Sequence, residues 1–255
     1  MGNIVCCEQK SSLEEIESSE EVYIQKTIEL ISRKMVSTEK LYKIMKNCFS
    51  IDLIDIDGLP LSWIQEYDYN IFVSKIFNNE IDPNILSYVK LTYNNIKNIS
   101  VKDYFDKFHL LLIIWLIGMA TPRTLSQEKK IFLIKNIIIK CNKYITFKTF
   151  SKFLTTFLEI MLVEVTYNFG KHNLEETNIL LNDVYNNLHV NEYRKWLCWK
   201  MGNIVIKNKN NIALDTRAIN NEFIKDEHLD IFFKKYSFLL WPIDLRKNFY
   251  NKYSK

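Results

Sequence analysis

Apolar residues recur every three or four positions along most of this chain, which is the spacing of helices that bury one face. Val22, Ile24, Ile28, Leu30 and Ile31 open the series. A second stretch runs from Leu41 through Ile44, Met45 and Cys48 to Phe49, with Ser37-Thr38-Glu39 ahead of it as the source of an N-cap. The same spacing predicts helices over 71–77, 85–93, 104–119, 127–137, 147–165, 175–184, 192–201 and 221–236. Thr124-Leu125-Ser126-Gln127 reads as a capping-box start, and Pro122 closes the segment before it. Long runs of period two are missing. The pattern predicts an all-α body, with at most very short strands.

Three hexamers within this pattern are alike: Ile99-Ser100-Val101-Lys102-Asp103-Tyr104, Ile145-Thr146-Phe147-Lys148-Thr149-Phe150 and Leu188-His189-Val190-Asn191-Glu192-Tyr193. Leu61-Ser62-Trp63-Ile64-Gln65-Glu66 is a weaker fourth copy. The leading aliphatic residues are separated by 38, 46 and 43 positions, a period that signals a repeated supersecondary unit. Each copy follows one amphipathic stretch and precedes another, which makes helix–loop–helix units.

That arrangement resembles the EF-hand, and in particular the four-hand proteins of the neuronal-calcium-sensor and calcineurin-B-like type. Asp82-Pro83-Asn84 before Ile85-Leu86-Ser87-Tyr88-Val89 is similar to the start of the second hand. Residues 104–116, the 124–129 linker and Phe132-Leu133 are similar to the connection from hand two to hand three. The resemblance covers about residues 38–202 and implies four helix–loop–helix units in two pairs. In such loops an aliphatic residue at position 8 pairs two hands through a small ribbon, and a bidentate Glu stands at position 12. The expectation is therefore that Leu61, Ile99, Ile145 and Leu188 hold position 8.

Calcium needs six to eight oxygens, chiefly carboxylates at positions 1, 3, 5 and 12 with Gly at 6. In this register the second loop offers Thr92, Asn94, Ile96, Lys97 and Asp103 at positions 1, 3, 5, 6 and 12. The third begins at Ile138 and offers Lys140, Asn142, Lys143 and Thr149, with no carboxylate. The fourth offers Asp183 and Glu192, but Leu181 and Tyr185 stand at positions 1 and 5. Asp52, Asp55, Asp57 and Gly58 look like a calcium loop, yet Gly58 at position 6 puts Leu53 at 1 and Ile64 at 12. The frame of the hands is kept and their ligands are lost, so no metal and no cofactor is expected.

Composition narrows the reading further. Thirty-four Lys and Arg against thirty Asp and Glu leave a net charge of +4 over 255 residues, too slight for a dedicated nucleic-acid binder. Five Gly and four Pro argue against Gly-rich phosphate loops and turn-dense β architectures. His109, His172, His189 and His228 are scattered, and no nucleophile elbow, metalloprotease helix or phosphate loop accompanies them. The chain is not expected to be an enzyme. Residues 110–120, the most apolar run, would span about 16 Å as a helix against a hydrocarbon core of about 30 Å. Cys48, Cys141 and Cys198 are isolated among apolar neighbours and read as reduced, buried thiols.

The first nine residues, MGNIVCCEQ, carry a different kind of signal. Gly2 suits N-myristoylation, although Cys6 stands where the motif has Ser or Thr. One myristoyl chain gives a membrane affinity of only about 10⁴ M⁻¹, and palmitate on Cys6, Cys7 or both would supply the second anchor. This start is similar to those of dually acylated signalling proteins and of inner-membrane-complex proteins in protozoan parasites. The resemblance implies the cytoplasmic face of the plasma membrane or of an inner membrane complex.

Three regions follow: an acylated acidic arm over 1–21, an EF-hand-like domain over 22–202, and a basic aromatic extension over 203–255. The arm can be a solvated tether or the start of a helix. The extension can lie on an anionic membrane, or fold back so that its Phe and Trp residues are buried, the preferred alternative. Taken together, the sequence predicts a lipid-anchored, non-catalytic adaptor that binds the amphipathic helix of a protein partner without calcium. A calcium sensor with one residual site and a lipid-anchored helical scaffold are the alternatives.

Overall fold

The computed structural model describes residues 21–33, 37, 39–44, 63–65, 81–95, 104–106, 113, 114, 117, 126–141, 145–170, 187–207 and 223–253. Gly2, Cys6, Cys7, the Asp52–Asp57 loop and the stretch 175–184 lie outside the described residues.

The architecture is all-α. Helix α1 covers residues 21–33 and the short α2 covers 39–44. Tyr23, Ile24, Thr27, Ile28 and Ile31 form the buried stripe of α1, while Ser37 caps α2 by accepting the Lys40 N–H on its side chain at 3.4 Å. Helix α3 spans Pro83–Asn95. Asp82 fixes its start by accepting the Asn84 N–H at 2.7 Å, and Pro83 occupies the first turn, where no N–H is needed. Helix α4 spans Gln127–Cys141. Its cap is Ser126, whose hydroxyl accepts the Lys129 N–H at 3.4 Å, so the helix starts two residues beyond the Thr124 cap that the capping-box pattern predicts.

Helix α5, Phe147–Glu159, opens with a full capping box. Thr146 Oγ1 accepts the Thr149 N–H at 3.3 Å, and Thr149 Oγ1 accepts the Thr146 N–H at 2.8 Å. Phe147, Phe150, Phe153, Leu154 and Phe157 supply its apolar stripe. The helix runs on into a wider π-helical segment, Ile160–Asn168. Helix α6 spans Asn187–Lys207, and α7 spans Asp226–Lys235. A 3₁₀ turn, Ser237–Leu240, leads to α8, Pro242–Tyr253.

Two very short antiparallel pairings join these helices. Strands β1, Trp63–Gln65, and β2, Tyr104–Asp106, pair with Ile64 opposite Phe105. Thr146 and Phe223 form an isolated bridge, and the Ile224 N–H donates to the Ile145 carbonyl at 2.8 Å. Helices α5 and α7 each begin two residues after these aliphatic residues.

Among the described residues, Ile145 lies at a short pairing as the hexamer pattern expects, and the other pairings centre on Ile64, Phe105 and Ile224. Tyr104 belongs to a strand and does not open a helix. Leu188 lies in the first turn of α6 and is 62% exposed, so the Leu188 hexamer is helix and not loop. The physical reason is the unbroken stripe Val190, Tyr193, Leu197, Met201 and Ile204, which keeps helical spacing through the hexamer. The partner of Ile145 is instead Ile224, beyond the polar stretch 208–222. Helix α6 also runs continuously across the 202/203 boundary drawn from the sequence.

Helix α7 packs on α4 and α6, and α5 packs on α6. Phe150, Phe232 and Phe233 meet at their centre, with edge-to-face contacts of 5.3 Å between ring centroids. Lys135 of α4 clamps α7 through Asp226 at 2.9 Å and Asp230 at 2.7 Å. Helix α1 crosses the end of the π segment at Gly170. A Cβ there would collide with the Thr27 and Tyr23 side chains.

Candidate functional site

The site with the most construction is the seat of α8, which packs along the π segment and meets α6 through Tyr193, and this seat is the groove that α8 fills. Leu245 and Phe249 of α8 are buried, while Lys247 and Asn251 of the same helix are exposed. The helix is thus amphipathic, as a groove ligand must be. Tyr193 of α6 meets Phe249 edge-to-face at 5.2 Å, and its hydroxyl donates to Asn248 Oδ1 at 2.8 Å. His189 stacks on Tyr253 at 5.1 Å. Burial, with a lesser contribution from Tyr253, raises the Tyr193 phenol well above its ordinary pKa, so it stays a neutral donor.

A polar latch sits within this apolar contact. Arg246, nearly fully buried, donates to the Leu162 carbonyl of the π segment at 3.2 Å. The same carbonyl accepts the Thr166 hydroxyl at 2.5 Å. At the rim, Lys247 pairs with Glu21 of α1 at 2.8 Å. The turn before α8 is held by Lys130 of α4. Its ammonium lies 3.3 Å from the centroid of Trp241 and donates to the Leu240 carbonyl at 3.4 Å.

On the other side of the π segment, Glu164 is buried and fastens α3. Tyr88 donates to Glu164 Oε2 at 2.8 Å and lies 3.0 Å from the backbone carbonyl of the same residue. Asn168 donates to Oε1 at 2.9 Å, and Thr92 completes the set at 3.5 Å. Burial first, then the Glu164 charge, drives the Tyr88 phenol far above its usual pKa. A buried carboxylate is tolerable only with such partners. The π segment therefore ties α3 to one face and α8 to the other.

Glu159 stands one i→i+5 step before Glu164 and has a buried Oε2 without a hydrogen-bond partner. Burial and the Glu164 charge raise its pKa, against the pull of Arg194. Cys198 is held high by burial, which makes it an inert packing thiol. Phe232, Phe233, Leu239 and Leu240 of the C-terminal region have no exposed surface.

Among the described residues no three His, Cys, Asp or Glu side chains gather at a spacing that would hold a metal ion. No described helix is long and apolar enough to cross a membrane. Ile145 is the residue that the repeat and the structure place alike, whereas Ile224, Glu164 and Arg246 carry the assembly without belonging to any hexamer. The signal for Glu164 was a lone carboxylate in the apolar run Ile160–Thr166. No family model matches the chain, and no curated protein or solved structure matches it either.

Proposed function

We propose that this protein is a membrane-anchored, non-catalytic adaptor built on calcium-free EF-hand-like pairs, whose groove holds α8 until a partner's amphipathic helix takes its place. The observation that carries this reading is the pair of short bridges. In each, the central residues join two loops, Ile64 to Phe105 and Ile145 to Ile224, as position 8 does in paired hands.

With these four residues at position 8 the ligand positions can be read again. Ile224 puts Arg217, Ile219, Asn221 and His228 at 1, 3, 5 and 12. Phe105 puts Asn98, Ser100, Lys102 and His109 there, and Ile145 keeps Ile138, Lys140, Asn142 and Thr149. Ile64 gives Asp57 and Asp68 at the two ends but Leu59 and Leu61 between them. No loop offers the carboxylate set that a dication requires. Calcium control is lost while the pairing that builds a groove is retained.

Calorimetric titration of the full chain with Ca²⁺ in the presence of Mg²⁺ tests the reading. The expected result is no heat of binding and no change in intrinsic fluorescence. A saturable micromolar site would make the protein a calcium-dependent switch and overturn the adaptor reading.

A further inference from the structure

Helix α6 carries a second stripe at the groove's edge: Trp196, Trp199, Lys200 and Asn203 follow one another at helical spacing, and Trp196 stacks on Tyr193 of the groove at 5.3 Å. Trp199 is 58% exposed, unusual for the largest apolar side chain. Lysines from three helices lie over aromatic rings on this stripe and next to it. Lys200 lies 4.5 Å from the Trp199 ring centroid and 5.3 Å from that of Trp196. Lys252, from the last turn of α8, stands 3.7 Å over the other indole, Trp196. Lys235, at the end of α7, lies over Tyr236 at 5.8 Å.

None of these three lysines forms an ion pair among the described residues, and each rests on an aromatic face instead. Between Lys200 and Lys235 opens a cleft of about 340 Å³, lined also by Asn203, Ile204 and Tyr236. The cations crowd one another. Lys252 holds its proton less tightly than an ordinary lysine because of partial burial and the Lys200 charge, with Glu192 opposing. An anion bound at this face would relieve that repulsion and complete the set. Lys195, one turn before Trp199 on α6, is exposed as well.

We propose that this face docks on an anionic membrane, with Trp199 seated at the interface and a lipid phosphate held in the cleft between Lys200 and Lys235. An exposed indole flanked by ammonium groups suits the headgroup layer, where one end of a side chain is apolar and the other wet. The proposal rests on the membrane location given above and adds an orientation to it. The lipid tip holds the chain to a bilayer, and this face sets which side of the domain looks down. The groove is then presented at a fixed angle.

The test uses the full chain in an unacylated form, Gly2→Ala, so that the face is measured without the anchor. Cosedimentation with vesicles of phosphatidylcholine, with and without phosphatidylserine, reads the binding. The expected result is binding to the anionic vesicles alone, weakening as salt rises. A Lys200→Gln, Lys235→Gln, Lys252→Gln triple variant should lose on the order of a hundredfold in partitioning, about fivefold per charge. Quenching by brominated lipid should fall in Trp199→Phe and not in Trp63→Phe.

Equal partitioning of the triple variant and its parent would overturn the proposal, provided circular dichroism shows the same melting curve for both. Displacement by millimolar inorganic phosphate, with no preference for anionic vesicles, would assign the cleft to a soluble phosphate and also overturn it. The acylated chain keeps the two readings apart. If it binds neutral vesicles as well as anionic ones, the anchor stands and the docking face falls.

Discussion

At the scale of single residues, the stability of this fold hangs on a few buried polar groups. Tyr88 is the main donor to the buried Glu164 carboxylate. Tyr88→Phe removes that bond and leaves the charge with Asn168 and a long contact to Thr92. Hydrogen bonds to charged groups contribute about 1.5–3 kcal/mol, and urea denaturation of the variant should show a loss of that size. Glu159 behaves in the opposite sense. Its raised pKa means that between the unfolded and folded values the native state binds more protons than the unfolded one. Stability from this group is present below the ordinary carboxylate range and is lost as pH rises through the folded value. Glu159→Gln, which copies the protonated form, should therefore raise the melting temperature at pH 7. The gain should vanish at acid pH, where the parent is itself protonated. A constant difference from acid to neutral pH would show that burial of the charge is not the cause.

At the scale of elements, Gly170 tests how the N-terminal helix is seated. A methyl group there meets the Thr27 and Tyr23 side chains, so Gly170→Ala must push α1 outward. Overpacking of this kind costs about 1–3 kcal/mol, and hydrogen exchange should quicken in α1 before the α5–α7 core responds. Helix α8 has its own lever. Phe249→Ala removes the ring that Tyr193 and Tyr253 grip, at a cost of about 3–5 kcal/mol to the site. Limited proteolysis should then cut within 242–253 while helices α4, α5 and α7 stay protected. Most of the helices were legible in the sequence because each depends on local spacing and a cap, as Ser37 and the Thr146 hexamer show, although the cap of α4 is Ser126 and not Thr124. The bridges were less so. Ile145 finds Ile224 across 208–222, and the helical stripe Val190, Tyr193 and Leu197 through the Leu188 hexamer excludes Leu188 without pointing to Ile224. The ribbon centres on Ile64 and Phe105, whereas Leu61 and Ile99 fit the same loose hexamer in a chain rich in Ile, Asn and Lys. The groove's contacts were illegible for a similar reason. Arg246 reaches the Leu162 carbonyl, and a backbone acceptor leaves no trace in the sequence.

At the scale of the whole molecule, the proposed acylation of the tip and the folded body would make separable contributions. Glu21 at the head of α1 pairs with Lys247 of α8, so the start of α1 is fastened to the helix that the groove holds. Gly2 and the Cys6–Cys7 pair would add two attachments of unequal strength. A myristoyl chain alone gives an affinity of about 10⁴ M⁻¹, marginal and reversible, and palmitate converts it to stable retention. Cys6→Ser with Cys7→Ser should thus shift the protein from stable retention to rapid exchange, seen as fast recovery after photobleaching at the membrane. Gly2→Ala should move most of it to the soluble fraction, because a chain that never meets the bilayer is a poor substrate for membrane-bound acyltransferases. The residual binding of Gly2→Ala should be salt-sensitive if the lysine face contributes, since such attraction falls off within a Debye length of about 8 Å at physiological ionic strength. Retention of both variants at the membrane, unchanged by salt, would remove the lipid anchor from the account and require a protein receptor in its place.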